Sequence, residues 1–113
     1  MAQFLVLMRE TDHAWSKLPS AKQEELLKLY FAWVDKLKAE KAFVGGNPLG
    51  PGGRLLKTVD GLITDGPFTE TKEVLTGYFV IEARDLAHAT EMARGCPALV
   101  HGETVELRAV GHV

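Results

Sequence analysis

The sequence predicts a single α+β domain of ferredoxin-like type, in which two helices cover one face of an antiparallel sheet. The order of the predicted elements is strand, long helix, strand, hairpin, strand, helix, strand, which is the split βαβ order with an inserted β-hairpin. The chain has 113 residues, of which 46% are apolar and 25% charged. This length and composition suit one ordinary globular core over residues 1–113 and hardly two.

The first half of the chain supplies two strands and the longer helix. Residues 3–9 form a continuous apolar run, typical of a central strand buried on both faces, and residues 11–19 form a polar loop anchored by Trp15. Ser20 and Gln23 have the spacing of a capping box and open a helix that ends near Glu40. A short strand is expected over residues 41–44, followed by a glycine-rich loop. The apolar stripe of the helix consists of Leu26, Leu27, Tyr30, Phe31, Trp33, Val34 and Leu37.

The second half supplies a hairpin, two strands and a short helix. Asp60-Gly61 between residues 54–59 and 62–64 is a strong hairpin signal. Residues 74–83 are rich in β-branched and aromatic side chains, which predicts a central strand. Asp85 is expected to cap a helix that ends at Gly95, and the alternation over residues 103–110 predicts the last strand.

Composition and charge exclude several function classes. The chain carries 13 Lys and Arg against 15 Asp and Glu, a net charge of −2, which argues against general nucleic-acid binding. The apolar runs are too short to cross a membrane. Arg9 and Glu10 interrupt the opening apolar run, which has no basic start, so we expect no signal peptide and a cytoplasmic location. Cys96 is the only cysteine, and we expect it to be a small buried hydrophobe rather than a reactive thiol.

The four histidines and the glycine-rich stretch predict neither a metal site nor a cofactor. No two histidines have the i, i+4 spacing of a helical metal pair. Residues 45–53 lack the Gly-Lys-Ser/Thr of a phosphate loop and precede a hairpin instead of a helix. His13 follows Asp12 and is a candidate acid or base, whereas His88 and His101 are expected at the surface.

One motif resembles a known family signature. Residues 64–79 read TDGPFTETKEVLTGYF, which is similar to the signature of the DGPF group of the YCII-related proteins, and the resemblance extends over nearly the whole chain. It implies a ferredoxin-like subunit that forms a dimeric α+β barrel, and an uncovered second sheet face would favour the same homodimer. Some relatives are encoded with or fused to alternative sigma factors. In others a His and an Asp facing a cleft are suspected of acid–base chemistry, but the equivalent of that His falls near Leu29 or Tyr30 here.

The residues around this motif are the candidate site. Asp65 either caps a turn before Gly66-Pro67 or aims a carboxylate into a cleft as a base. We predict Asp65 and His13 as catalytic residues and Tyr30, Phe68, Glu70 and Lys72 as ligand-binding residues. Lys72 would neutralise an anionic ligand, and Tyr30 would need a hydrogen-bond partner for its hydroxyl, supplied by Asp65 or by a ligand. Alternatively, Glu70 and Lys72 are solvent-exposed charges at the edge of a strand and have no role in binding.

Three functions are compatible with these observations. The first is a dimer that binds a small organic ligand in a cleft near the DGPF turn, with acid–base turnover. The second is a partner-binding or regulatory module, for example one associated with an alternative sigma factor. The third is a purely structural dimer whose signature builds the interface.

Overall fold

The strands and helices of the described chain follow the predicted order. The computed structural model describes residues 1–11, 13–50, 52–67 and 73–111. Strands β2, β5, β1 and β6 form an antiparallel sheet in that order, and β3 and β4 pair in a separate hairpin. This confirms the α+β class and the inserted hairpin. The elements are β1 (Ala2–Thr11), α1 (Ser20–Ala39), β2 (Phe43–Pro48), β3 (Arg54–Val59), β4 (Leu62–Pro67), β5 (Glu73–Ala83), α2 (Leu86–Ala93) and β6 (Thr104–Ala109), with 3₁₀ turns at Trp15–Lys17 and Pro97–Leu99.

The core lies between one face of the sheet and the two helices. Alternate residues of β1 are buried, whereas Leu5 and Leu7 on the other face are half-buried. The prediction that β1 is buried on both faces is therefore wrong for the chain on its own, because the helices cover only one side. The core cluster contains Phe4, Val6, Met8, Trp33, Leu37, Ala42, Ile81, Ala83, Ala89, Cys96 and Ala98.

Helix α1 has the predicted length but not the predicted cap. Pro19 occupies the N-cap position and no side chain caps the helix, so the Ser20–Gln23 capping box is wrong. The Gln23 side chain instead donates to the carbonyl of Trp15 at 2.9 Å. Leu27 and Phe31 are exposed, because a helix that packs on a single sheet buries only one stripe.

Strand β2 continues through residues predicted as a loop. Gly45, Gly46 and Pro48 belong to the strand and pair with β5. Gly46 lies so close to Phe79 that a β-carbon would be 2.5 Å from its ring. Pro48 ends an edge strand, a position where the missing N–H is tolerated.

The hairpin is confirmed, and it contains part of the family motif. Asp60 and Gly61 have φ values of 50° and 78°, as a two-residue turn with left-handed backbone requires. Asp65 lies within β4 opposite Leu56, so the prediction of a turn at Asp65 is wrong. Both faces of the hairpin expose large apolar side chains, namely Leu55, Leu56, Val59, Leu62 and Ile63.

The remaining elements agree with the sequence. The carboxylate of Asp85 accepts the backbone N–H of His88 at 2.8 Å and caps α2. Cys96 is buried, and desolvation raises the pKa of its thiol to about 11. Neither α1 nor α2, nor any other helical stretch in the described ranges, has the length and apolar character needed to cross a membrane.

Candidate functional site

The structure separates the residues that the sequence grouped around the motif. Asp65 lies on the exposed hairpin, with 55% of its side chain accessible, and its Oδ1 accepts from Arg54 Nε at 3.0 Å. His13 is exposed, with a φ of 53°. Tyr30 lies instead on α1, against the main sheet. Phe68, Glu70 and Lys72 lie outside the described residues.

Tyr30 meets a histidine and a carboxylate that the sequence analysis did not select. Its hydroxyl lies 2.8 Å from Nε2 of His101. The same nitrogen lies 3.2 Å from Oε2 of Glu103, and the side chains of His101 and Glu103 are each only 4% exposed. The prediction that His101 is a surface residue is therefore wrong, and the partner of Tyr30 is His101.

Two further polar side chains complete this group. A bulge in β5 leaves Thr76 without a pairing partner opposite Met8 and Arg9 on β1. The Thr76 hydroxyl reaches Oε1 of Glu103 in a short hydrogen bond, which illustrates how a bulge re-aims a side chain. Glu10, near the end of β1, is 7% exposed. The polar cluster is defined by Glu10, Tyr30, Thr76, His101 and Glu103.

Burial changes the pKa values of His101 and Glu103 in the directions that favour their uncharged forms. Desolvation raises the pKa of Glu103, the hydrogen bond from Thr76 opposes that shift, and the negative charge of Glu10 adds to it. Desolvation lowers the pKa of His101 below 6.5, against the opposing attraction of Glu10. At neutral pH, His101 is therefore an uncharged imidazole that can accept a proton.

Tyr30 keeps its proton and lies among aromatic rings. Burial, followed by the charge of Glu103, raises the pKa of its phenol above the ordinary value of 10.0. The ring of Phe79 stacks on Tyr30 with centroids 6.5 Å apart. The ring of Trp15 meets His101 edge-on at 5.5 Å. The cluster thus presents a phenolic donor and an imidazole beside apolar ring surface.

The contacts around Thr76 fit either protonation state of Glu103. When Glu103 is ionised, Thr76 donates to its carboxylate. When Glu103 is protonated, its hydroxyl donates to Thr76, and Thr76 can then donate to the carbonyl of Met8, which lies 3.3 Å away. Thr76 therefore keeps a hydrogen-bond partner in either protonation state of Glu103. In uncharged His101 the Nε2 lone pair can accept from the Tyr30 hydroxyl, and once His101 is protonated its Nε2–H can donate to Glu103 Oε2.

The sequence contains a signal for part of this cluster. Phe4, Val6 and Met8 alternate on the buried face of β1, and Glu10 continues that alternation. A carboxylate placed on a buried face needs polar partners, which marks it as a candidate functional group. Tyr30 and His101 are 71 residues apart in the sequence. No local pattern predicts a contact between residues so distant in sequence.

Comparison with known proteins places the chain in a family. A family model described as the YCII-related domain matches residues 2–111. The chain is 31% identical over 91 residues to an uncharacterised protein of Rhizobium meliloti (strain 1021). The match covers 72% of this chain and 66% of that protein, so the chain spans just under two thirds of the length of its relative. The solved structure of 5-chloro-2-hydroxyhydroquinone dehydrochlorinase from Burkholderia phenoliruptrix AC1100, in complex with 2,5-dihydroxybenzoquinone, is similar with a TM-score of 0.58 and 15% identity. That match covers 98% of this chain and 95% of the other and shows a shared fold. Because the family model spans nearly the whole chain, the protein belongs to the YCII-related family.

Proposed function

We propose that the protein binds a small, uncharged organic molecule at the polar cluster and transfers protons to or from it. The observation that carries this proposal is His101, whose Nε2 lies within 2.8 Å of the Tyr30 hydroxyl and 3.2 Å of the Glu103 carboxylate. An imidazole between a hydroxyl donor and a carboxylate is an arrangement used for general acid–base chemistry. Shifted proton affinities in a shielded cluster support the same interpretation.

The proposed roles of the residues follow from the directions in which their pKa values are shifted. His101 is the base because its imidazole is uncharged at neutral pH. Tyr30 is a hydrogen-bond donor to a carbonyl or hydroxyl oxygen, because its phenol keeps its proton. Glu103 orients His101 and stabilises the imidazolium that forms when His101 accepts a proton, as a buried carboxylate does in comparable arrangements.

The surroundings favour an uncharged ring compound that carries hydroxyl or carbonyl groups. Glu10 and Glu103 place two buried carboxylates in the cluster, and these disfavour an anion. Among the described residues, the hydrogen bonds and ion pairs of the cluster include no Lys or Arg. The rings of Trp15, Tyr30 and Phe79 offer flat apolar surface. The dehydrochlorinase of similar fold is compatible with a ligand of this kind.

The residues selected from the sequence define an alternative site. Asp65, with Phe68, Glu70 and Lys72, would form a site at the hairpin, and Lys72 would favour an anion. We retain this as the competing hypothesis, and we also infer from residues 64–79 that the protein belongs to the DGPF group of its family. A cytoplasmic location stays a prediction from the sequence.

A thermal-shift screen tests the proposed site. The compounds are uncharged phenols and cyclic ketones, with carboxylates and phosphates as the contrasting set. A ligand at about 100 times its dissociation constant adds roughly 2.7 kcal/mol to the free energy of unfolding, so it visibly raises the melting temperature. We expect shifts with the uncharged ring compounds and none with folded His101→Gln. Shifts confined to carboxylates and phosphates would contradict the proposal.

We also propose that a second copy of the chain covers the open face of the sheet. Leu5 pairs with Val80 and Leu7 pairs with Tyr78 on the face opposite the helices, and all four side chains are half-buried. An isolated two-stranded hairpin is only marginally stable. A partner copy would therefore also stabilise the apolar hairpin.

The mass in solution tests this homodimer. We expect about twice the chain mass of 12.4 kDa at micromolar concentration, measured by light scattering. Leu7→Lys on the open face should shift the protein towards the monomer, whereas Lys28→Glu on the exposed side of α1 should not. A folded wild-type monomer at high concentration would contradict the homodimer and leave the apolar hairpin as a surface for a different protein.

A further inference from the structure

A short segment between β1 and α1 covers the polar cluster. We call residues 13–18 the Trp15 strap; it contains the 3₁₀ turn Trp15–Lys17. The Trp15 ring meets the His101 ring edge-on, with 5.5 Å between centroids and 61° between planes. The side chain of His101 is only 4% exposed. The Trp15 strap therefore lies against the imidazole that a ligand would have to reach.

The strap is fastened by two side chains from the elements that flank it. Glu10 of β1 accepts the backbone N–H of Trp15 at 2.8 Å. Gln23 of α1 donates to the backbone carbonyl of Trp15 at 2.9 Å. None of the three residues of the 3₁₀ turn is fully buried: Trp15 is half-buried, and Ser16 and Lys17 are exposed. These two hydrogen bonds are its main attachments to the rest of the described chain.

We propose that the Trp15 strap is the gate of the polar cluster, and that Glu10 and Gln23 are positioning residues that latch it shut over His101. This inference rests on the proposed function, because a gate presupposes a ligand that passes it. Tyr30, Thr76 and Glu103 lie on or beside the sheet and the long helix, where backbone pairing limits movement. The strap is joined to them through side chains, so it is the part of the enclosure that opens at least cost.

Chemical modification of histidine measures the opening directly. Diethyl pyrocarbonate acylates uncharged imidazole, and digestion followed by mass spectrometry reports the rate at His101 alone. At pH 8 the imidazole is uncharged, because burial lowers the pKa of His101 below 6.5 and removal of the Glu10 charge lowers that pKa further. We expect Glu10→Ala to raise the rate about tenfold, because a charge-assisted hydrogen bond that closes the gate is lost.

Matched variants separate the latch from electrostatics and from loss of folding. Glu10→Gln removes the same charge but keeps an acceptor oxygen, so its rate should lie between those of the wild type and Glu10→Ala. Gln23→Ala, at a half-buried helix position, should raise the rate and serves if Glu10→Ala does not fold. Trp15→Ala should also raise it. Glu25→Gln, which alters an exposed carboxylate on α1, is the control and should leave the rate unchanged.

The possible results are distinct. Unchanged rates in Gln23→Ala and Trp15→Ala would overturn the gate, and equal acceleration in Glu10→Gln and Glu10→Ala would overturn the latch. The measurement uses no ligand, so a failed ligand screen with accelerated modification would contradict only the proposed function. Binding that depends on His101 with unchanged modification would contradict only the gate.

Discussion

Gly46→Ala is expected to lower the free energy of unfolding by about 2–3 kcal/mol, because it forces a side chain into a closed backbone contact. A β-carbon at this position would lie 2.5 Å from Cδ1 of Phe79 and 2.6 Å from the carbonyl oxygen of Tyr78. The Phe79 ring can rotate, but the Tyr78 carbonyl is part of the β5 backbone and cannot yield without disturbing the sheet. Urea unfolding followed by circular dichroism measures the loss.

The neighbouring glycine supplies the control for this prediction. Nothing lies within 4 Å of the position that a β-carbon on Gly45 would take, so Gly45→Ala should change the free energy of unfolding by less than about 1 kcal/mol. Phe79 also stacks on Tyr30, so Gly46→Ala should weaken ligand binding at the polar cluster as well. Equal stability of the two variants would show that β2 does not approach β5 as closely as described.

Glu103→Ala is expected to lower the free energy of unfolding by about 2–3 kcal/mol. The substitution removes one partner of Thr76 and one partner of His101 in a place that water hardly reaches, and each buried hydrogen bond that is lost costs about 1–1.5 kcal/mol. Glu103→Gln keeps both contacts, because its carbonyl oxygen can accept from Thr76 and its amide can donate to the unprotonated Nε2 of His101. It should therefore unfold within about 1 kcal/mol of the wild type at pH 7.

The pH dependence of Glu103→Gln has a defined sign. Burial raises the pKa of Glu103 in the folded protein above its ordinary value of 4.5. The favourable contribution of protonated Glu103 to the free energy of unfolding is then complete below pH 4.5. It is lost as the pH rises through the pKa that Glu103 has in the folded protein. The stability of Glu103→Gln relative to the wild type should accordingly increase with pH from 4.5 upwards. A relative stability that falls over this range would mean that Glu103 is stabilised as a carboxylate.

The fold could be predicted because its signals are local. The stripe of α1, the Asp60-Gly61 turn and the Asp85 cap each act within a few residues. The structure confirms the turn and the cap, and it confirms the stripe except for Leu27 and Phe31, which are exposed. The errors arise where tertiary contacts override local preference. Gly45 and Gly46 indicate a loop by composition, but they pair with β5 as part of a strand, and Phe79 approaches Gly46 closely. Gln23 has capping spacing, but its side chain is drawn to the carbonyl of Trp15.

The polar cluster was less predictable for a related reason. Tyr30 was selected from its helical position, and its need for a hydrogen-bond partner followed from burial. The predicted partner is Asp65 or a ligand, whereas the structure shows His101. His101 and Glu103 follow the 3₁₀ turn Pro97–Leu99, where periodicity carries no information about orientation. Only Glu10 had a readable signal, as a carboxylate on the inward-facing alternation of β1.

The most direct test of the central claim compares two variants in one binding measurement. The ligand that gives the largest shift in the screen is titrated calorimetrically into the wild type, His101→Gln and Asp65→Asn, after each is shown to be folded. The account predicts that Asp65→Asn binds like the wild type, because Asp65 lies exposed on the hairpin, and that His101→Gln binds at least about tenfold more weakly. Loss of binding in Asp65→Asn with unchanged binding in His101→Gln would contradict it and place the site at the hairpin.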